Sequence, residues 1–332
     1  MQAIDNVVLA ISNILYQPWF VPLILIAGGI YLTVRSKFIQ VGMFKEACKV
    51  IMEKPHEGGV SSFGALMVST ASRVGTGNII GVSTAIVCGG PGAIFWRWIT
   101  AIFGGASAFI ESTLAQIYKR RDDDGTFKGG PAYYMQDALG QRWLGVVFSI
   151  LIIFTYMIGY NMLASYNLQS TFAVFSFYKE GVTPAIIGII LAVLFGIIVL
   201  GGAKRLINVT EVLVPIMGVM YILVAIIVLV LNIGNLGHMF GMIFSNAFDF
   251  QSIFGGFAGS CIMYGVKRGL YSNEAGMGSA PNAAARADVS HPAKQGLVQM
   301  LSVFIDTLLI CTATAFMCLS TDILPTDFLG AD

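Results

Sequence analysis

Val74-Gly75-Thr76-Gly77-Asn78 is the stretch of this sequence best equipped for chemistry. It interrupts an apolar run from Val60 to Val87 that is long enough to cross a bilayer. Glycine and asparagine are poor helix formers. A helix broken there leaves C=O groups free at the end of its first half and N–H groups free at the start of its second. Free N–H groups at the positive end of a helix dipole suit a carboxylate. Free carbonyls suit a hard cation such as sodium. Backbone exposed in this way is tolerated at membrane depth only against protein or a water-filled cavity. The break is therefore expected to be a binding site near the membrane midplane.

A second apolar run, Ile253–Tyr271, carries Gly255-Gly256 and Gly259-Ser260. Glycine-interrupted spans at matching places in two halves of a chain point to a secondary transporter. Charges inside the spans need partners, because a charge at membrane depth must be paired or hydrated. Arg73 lies one residue before the first break, and Asp306 is its expected partner, with Glu111 the second candidate. Lys267 and Arg268 are expected to mark the inner end of their span.

Other chemistries find little support. Asp122-Asp123-Asp124 lacks the alternating spacing of a calcium loop and reads as a solvated loop. The five cysteines include no CxxC, so neither a zinc site nor a disulfide framework is indicated. The three histidines (56, 238 and 291) are isolated, and no catalytic triad is visible. The chain does not read as an enzyme, and no cofactor is expected.

The elements that position the breaks follow from composition. Of 332 residues, 56% are hydrophobic and only 11% are charged. Soluble domains carry about 25% charged residues, so this is an all-α polytopic membrane protein. A net charge of +1 and the lack of a basic arm argue against nucleic acid. No obligate protein partner is indicated; the lipid bilayer is the expected surround. Residues 3–16 read as an interfacial amphipathic helix. Eight spans follow, at Trp19–Val34, Val60–Val87, Ala93–Tyr118, Trp143–Leu168, Pro184–Leu200, Val209–Leu231, Ile253–Tyr271 and Leu297–Leu319. If the loop after the first span is cytoplasmic, the loops on that side hold 14 of the 19 basic residues and the opposite loops hold one, Lys179. Both termini then lie outside, and the two broken spans run in opposite directions.

The runs SRVGTGNIIGVSTAI (72–86), GGPGAIFWRWITAIFGGASAFIESTLAQIY (89–118), GGPAYYMQ (129–136), FGGFAGS (254–260), GLYSNEAGMGSAPNAAA (269–285) and HPAKQGLVQMLSVFIDTLLICTATA (291–315) resemble the alanine or glycine:cation symporter family. The resemblance covers nearly all of residues 18–320. It implies an inverted five-helix repeat similar to that of a leucine transporter, preceded by one extra N-terminal helix. Residues 1–58 would hold the amphipathic segment and that extra helix, 59–250 the first repeat, and 251–332 two helices of an incomplete second repeat. About three further helices would be expected beyond Asp332, one of them contributing hydroxyls to a sodium site. The sequence therefore reads as truncated, and as a non-functional fragment if those helices are absent in the cell.

By the same resemblance, the activity would be sodium-coupled uptake of alanine or glycine, in a bacterial inner membrane, by alternating access. Proton coupling and a passive amino-acid pore are the alternatives. The backbone amides of Thr76 and Gly77 would take the substrate carboxylate, with the Asn78 side chain beside them. Carbonyls of Ala71 and Val74 would hold sodium, and Gln169 would face the substrate. Backbone groups of Phe257, Gly259 and Ser260 at the second break would meet the substrate amino group.

Overall fold

The computed structural model describes residues 2–15, 20–53, 60–122, 126–249 and 261–321. The helices are α1 (Gln2–Leu15), α2 (Val21–Arg35), α3 (Ile39–Gly42), α4 (Phe44–Ile51), α5 (Ser62–Arg73), α6 (Thr76–Gly89), α7 (Ala93–Ile117) and α8 (Pro131–Asp137). They continue as α9 (Arg142–Val174), α10 (Val182–Leu200), α11 (Gly202–Leu231), α12 (Leu236–Phe248), α13 (Cys261–Asn273), α14 (Ala280–Ala284) and α15 (Pro292–Ser320). The described residues are all-α apart from one small hairpin, Arg120–Arg121 paired antiparallel with Phe127–Lys128, on either side of the acidic stretch read from sequence as a solvated loop.

Among the described residues, five helices (α7, α9, α10, α11 and α15) are long and apolar enough to cross a membrane, and α2 and α6 are shorter apolar helices. The break divides the expected second span into α5 and α6. The first half of the expected seventh span lies outside the described residues.

α7 and α15 form the centre. In each, 56% of the most apolar window is buried against protein, whereas α10 buries none of its own. Helices that are apolar all round and yet unburied need a hydrocarbon solvent, so the chain is a multi-pass membrane protein. Small residues let the central helices approach. A Cβ on Gly296 would run into Thr113 and the Phe109 carbonyl, and one on Gly29 would sit 3.0 Å from the Phe103 carbonyl oxygen. A Cβ on Gly265 would collide with the Ala93 carbonyl oxygen and lie 2.8 Å from Trp96 Cβ. Neither backbone nor ring can yield there, so Gly265→Leu is expected to separate α13 from α7. Size-exclusion chromatography of the detergent-extracted variant should show loss of the monodisperse peak that the wild type gives.

α6 and α13 run antiparallel. Gly77 at the start of α6 lies against Tyr271 and Ser272, while Gly89 at its end lies against Cys261 and Tyr264. The stretch from Gly276 to Ala287 continues in the same direction along α7. Glu111 accepts the N–H groups of Gly276 at 3.3 Å and Gly278 at 3.1 Å. Gln116 donates to the carbonyls of Ala284 and Ala287. Beyond the end of α7, Lys119 donates to the Ala287 carbonyl at 2.9 Å. Burial there pulls the Lys119 ammonium below its ordinary value, with Asp288 opposing the shift.

Residues 236–248, which the sequence left without an element, form α12. Its Met239, Ile243 and Ala247 are buried, and Asn246 accepts the Gly92 N–H at 2.8 Å.

Candidate functional site

The first break forms where the glycines lie. α5 ends at Arg73, Val74 is extended (φ −77°, ψ 102°), Gly75 is extended, and α6 starts at Thr76. The Gly75 N–H does not continue the ladder by bonding the Ala71 carbonyl four residues back. It donates instead to Asn78 Oδ1 at 2.9 Å, the reciprocal half of an N-terminal capping arrangement. This leaves the Ala71 carbonyl free of its helical partner. The Thr76 and Gly77 N–H groups stand in the first turn of α6, where no intrahelical acceptor exists. Ala71 and Gly75 are exposed, whereas Gly77 and Asn78 are buried.

The break is braced from behind by a buried polar cluster. Asn78 Nδ2 donates to Asp306 Oδ1 at 2.7 Å, to the Asp306 carbonyl at 3.2 Å and to Cys311 Sγ at 3.1 Å. Asp306 Oδ2 accepts from Ser272 Oγ at 2.9 Å and from Thr307 Oγ1 at 2.8 Å. Arg97 Nη2 donates to the Gly77 carbonyl and to Cys311 Sγ, both at 3.0 Å. Arg97 is also the cation acting on Asp306. Asp306 and Arg97 are 0% and 1% exposed, so their charges are screened by each other and by these hydrogen bonds rather than by solvent. Asp306 lies in the first turn of a π-helical segment, Ile305–Cys311, within α15. Such a widened turn is frequent at functional sites.

A profile of the sodium:alanine symporter family matches residues 1–331. The chain belongs to the sodium:alanine symporter family. It is 47% identical over 326 residues to the "Probable sodium/glutamine symporter GlnT" of Bacillus subtilis, covering 97% of this chain and 67% of that protein. It is 48% identical over 306 residues to the "Amino-acid carrier protein AlsT" of the same organism, covering 91% of this chain and 64% of the relative. It is 41% identical over 318 residues to the "Sodium/alanine symporter AgcS" of Methanococcus maripaludis, covering 94% and 70%. The chain thus spans about two thirds of the length of these relatives. Membership of this family of symporters also means that the protein is not an enzyme.

Within this sodium:alanine symporter fold, several residues singled out from sequence are brought together and others are not. Ala71, Val74, Thr76 and Gly77 lie at the break with their backbone groups arranged as described. Asn78 is there too, but both ends of its amide are engaged by Gly75, Asp306 and Cys311. These bonds make it a brace of the break. Gln169 lies near the end of α9, where its Oε1 accepts from Tyr178 at 2.8 Å. Phe257, Gly259 and Ser260 lie outside the described residues.

Arg73 and Asp306 do not form the expected ion pair. Both Asp306 oxygens are taken by Asn78, Ser272 and Thr307, and Arg73 donates to the Gln299 carbonyl at 3.3 Å. Glu111 is the carboxylate on which Arg73 acts electrostatically. Lys267 and Arg268, expected to mark a span end, lie in the middle of α13. They sit between Gly265, which packs on Ala93, and Gly269, which packs on Thr100, near the start of α7.

Sequence reasoning missed Arg97, Ser272 and Cys311 as members of the cluster around Asp306. It also missed Tyr271 and Glu274, which lie at the level of the first break. Ser272 and Glu274 lie in the run GLYSNEAGMGSAPNAAA (269–285), which entered the sequence analysis only as part of the family resemblance.

Proposed function

We propose that this chain binds sodium and a small neutral amino acid at the α5–α6 break, and that the whole protein carries both into the cell. The observation that supports this best is the break itself, with freed carbonyls on one side and unpaired N–H groups on the other. In this reading the Thr76 and Gly77 amides take the substrate carboxylate, and the Ala71 and Val74 carbonyls contribute to a sodium site. Gln169 and the backbone of Phe257, Gly259 and Ser260 complete the substrate contacts.

The antiparallel run of α6 and α13 fits two inverted halves, with residues 59–250 as the first repeat, 251–332 as two helices of the second, and 1–58 outside both. Eight spans in a bacterial inner membrane and alternating access at the broken helices are part of the same proposal. The relatives named for alanine and for sodium favour sodium over protons and alanine over other substrates. One relative is named for glutamine, so glutamine belongs in the competition test.

Proteoliposomes carrying the full-length protein are expected to accumulate labelled alanine against its gradient only under an inward sodium gradient. Excess glycine should compete, and glutamine should compete less. Accumulation driven equally well by a proton gradient in sodium-free buffer would replace sodium by protons. Equilibration without any gradient would replace the symporter by a pore.

A further inference from the structure

Glu274 is a buried carboxylate that the reading above does not use. It is 1% exposed and follows the last turn of α13. Its φ of +51° lies in the left-handed region, which is rare for a residue other than glycine and marks sites whose surroundings enforce it. Two hydroxyls from different parts of the chain converge on it. Ser279 Oγ donates to Oε2 at 2.6 Å. Ser72 Oγ, in the last turn of α5, lies 3.3 and 3.2 Å from its two oxygens. A third hydroxyl faces the same cluster from α9. Tyr156 Oη is buried and makes no hydrogen bond of normal geometry, although it lies close enough to Glu274, Ser279 and Ser72 to feel all three. All four residues line one cavity of about 550 Å³, whose lining also includes Ala203, Leu206 and Arg286.

We propose that Glu274, Ser72, Ser279 and Tyr156 form a second sodium site, placed between the α5–α6 break and that cavity. Each group presents a hard oxygen, and the set carries a single negative charge, which matches one monovalent cation. Calcium takes six to eight oxygens and several carboxylates, and no cluster of three or more His, Cys, Asp or Glu side chains is present among the described residues. Hydroxyls accept as well as donate, so Ser72 and Ser279 turn lone pairs to the ion while it is bound. The orphan Tyr156 hydroxyl gains a partner in the same step. The ion's role as a stage on the way out of the break rests on the transport reading; its binding does not.

The test is equilibrium binding of radioactive sodium to the purified full-length protein without amino acid, which needs no transport. Wild type is expected to bind one more sodium ion per chain than Glu274→Gln. Tyr156→Phe removes only an unpartnered hydroxyl, so it should fold normally and weaken that sodium step several-fold, with Ser279→Ala behaving alike. A monodisperse Glu274→Gln that binds as many sodium ions as wild type would overturn the proposal. So would loss in Glu274→Gln alongside wild-type binding in both Tyr156→Phe and Ser279→Ala, since the effect would then belong to the buried charge alone. Unchanged sodium binding with lost alanine affinity in Glu274→Gln would overturn it in favour of a contact to the substrate ammonium group.

Discussion

Asn78→Leu is expected to abolish sodium-driven alanine uptake and to lower the thermal stability of the protein in detergent. Leucine matches the volume but carries no polar atoms. The Gly75 N–H loses the Oδ1 that closes the break, and Asp306 Oδ1 loses its 2.7 Å donor inside the protein. A buried group left without its partner costs about 1–3 kcal/mol, and more when the group is charged. The loss should therefore reach roughly 3–5 kcal/mol. The Gly75 N–H would then be free to bond the Ala71 carbonyl, closing the ladder across the break. Heating the extracted protein and following the monodisperse fraction by size exclusion measures the first effect, and proteoliposome uptake the second. A variant that melts with wild type would show that Asn78 does not brace the break.

Removal of the Arg97 charge is the other large change expected. Arg97→Met keeps a long side chain but removes the cation whose field acts on the buried Asp306 carboxylate, and leaving a buried charge uncompensated is destabilising. It also removes the donor to the Gly77 carbonyl at the start of α6. Asp306→Asn in the same chain removes the stranded charge while keeping an acceptor for Asn78 and Ser272. The double variant is therefore expected to be more stable than Arg97→Met alone, by roughly 1–3 kcal/mol. Melting temperatures of the four proteins form the cycle. Simple additivity would mean that the two residues act independently, and the brace would reduce to the hydrogen bonds of Asn78.

Both predictions concern contacts that join distant parts of the chain. Asn78 and Asp306 are 228 residues apart, and Ser72 and Glu274 are 202 apart. The sequence by itself determined what local physics can specify. The apolar runs predicted a helical membrane protein. Gly75 and Gly77 marked where a helix would fail, and the chain does leave the helix at Val74 and Gly75. The quoted motifs carried the family.

Which side chains meet was another matter. In a water-soluble helix, the apolar stripe names the face that packs. Here α9, α10 and α11 are apolar all round because lipid is their solvent. Their pattern therefore cannot separate a lipid-facing side from a protein-facing one, and depth within the bilayer leaves no periodic mark. Arg73 was assigned to Asp306 because both were charged and at membrane depth; packing gave Asp306 to Asn78, Ser272 and Arg97 instead. Lys267 and Arg268 read as a boundary, yet α13 carries them beside the start of α7. The position of the break was written in two glycines. The brace behind it, and the oxygen cluster at Glu274, came only from the way α6, α13 and α15 pack, because hydrogen bonds across helices depend on register and depth that hydrophobicity does not encode.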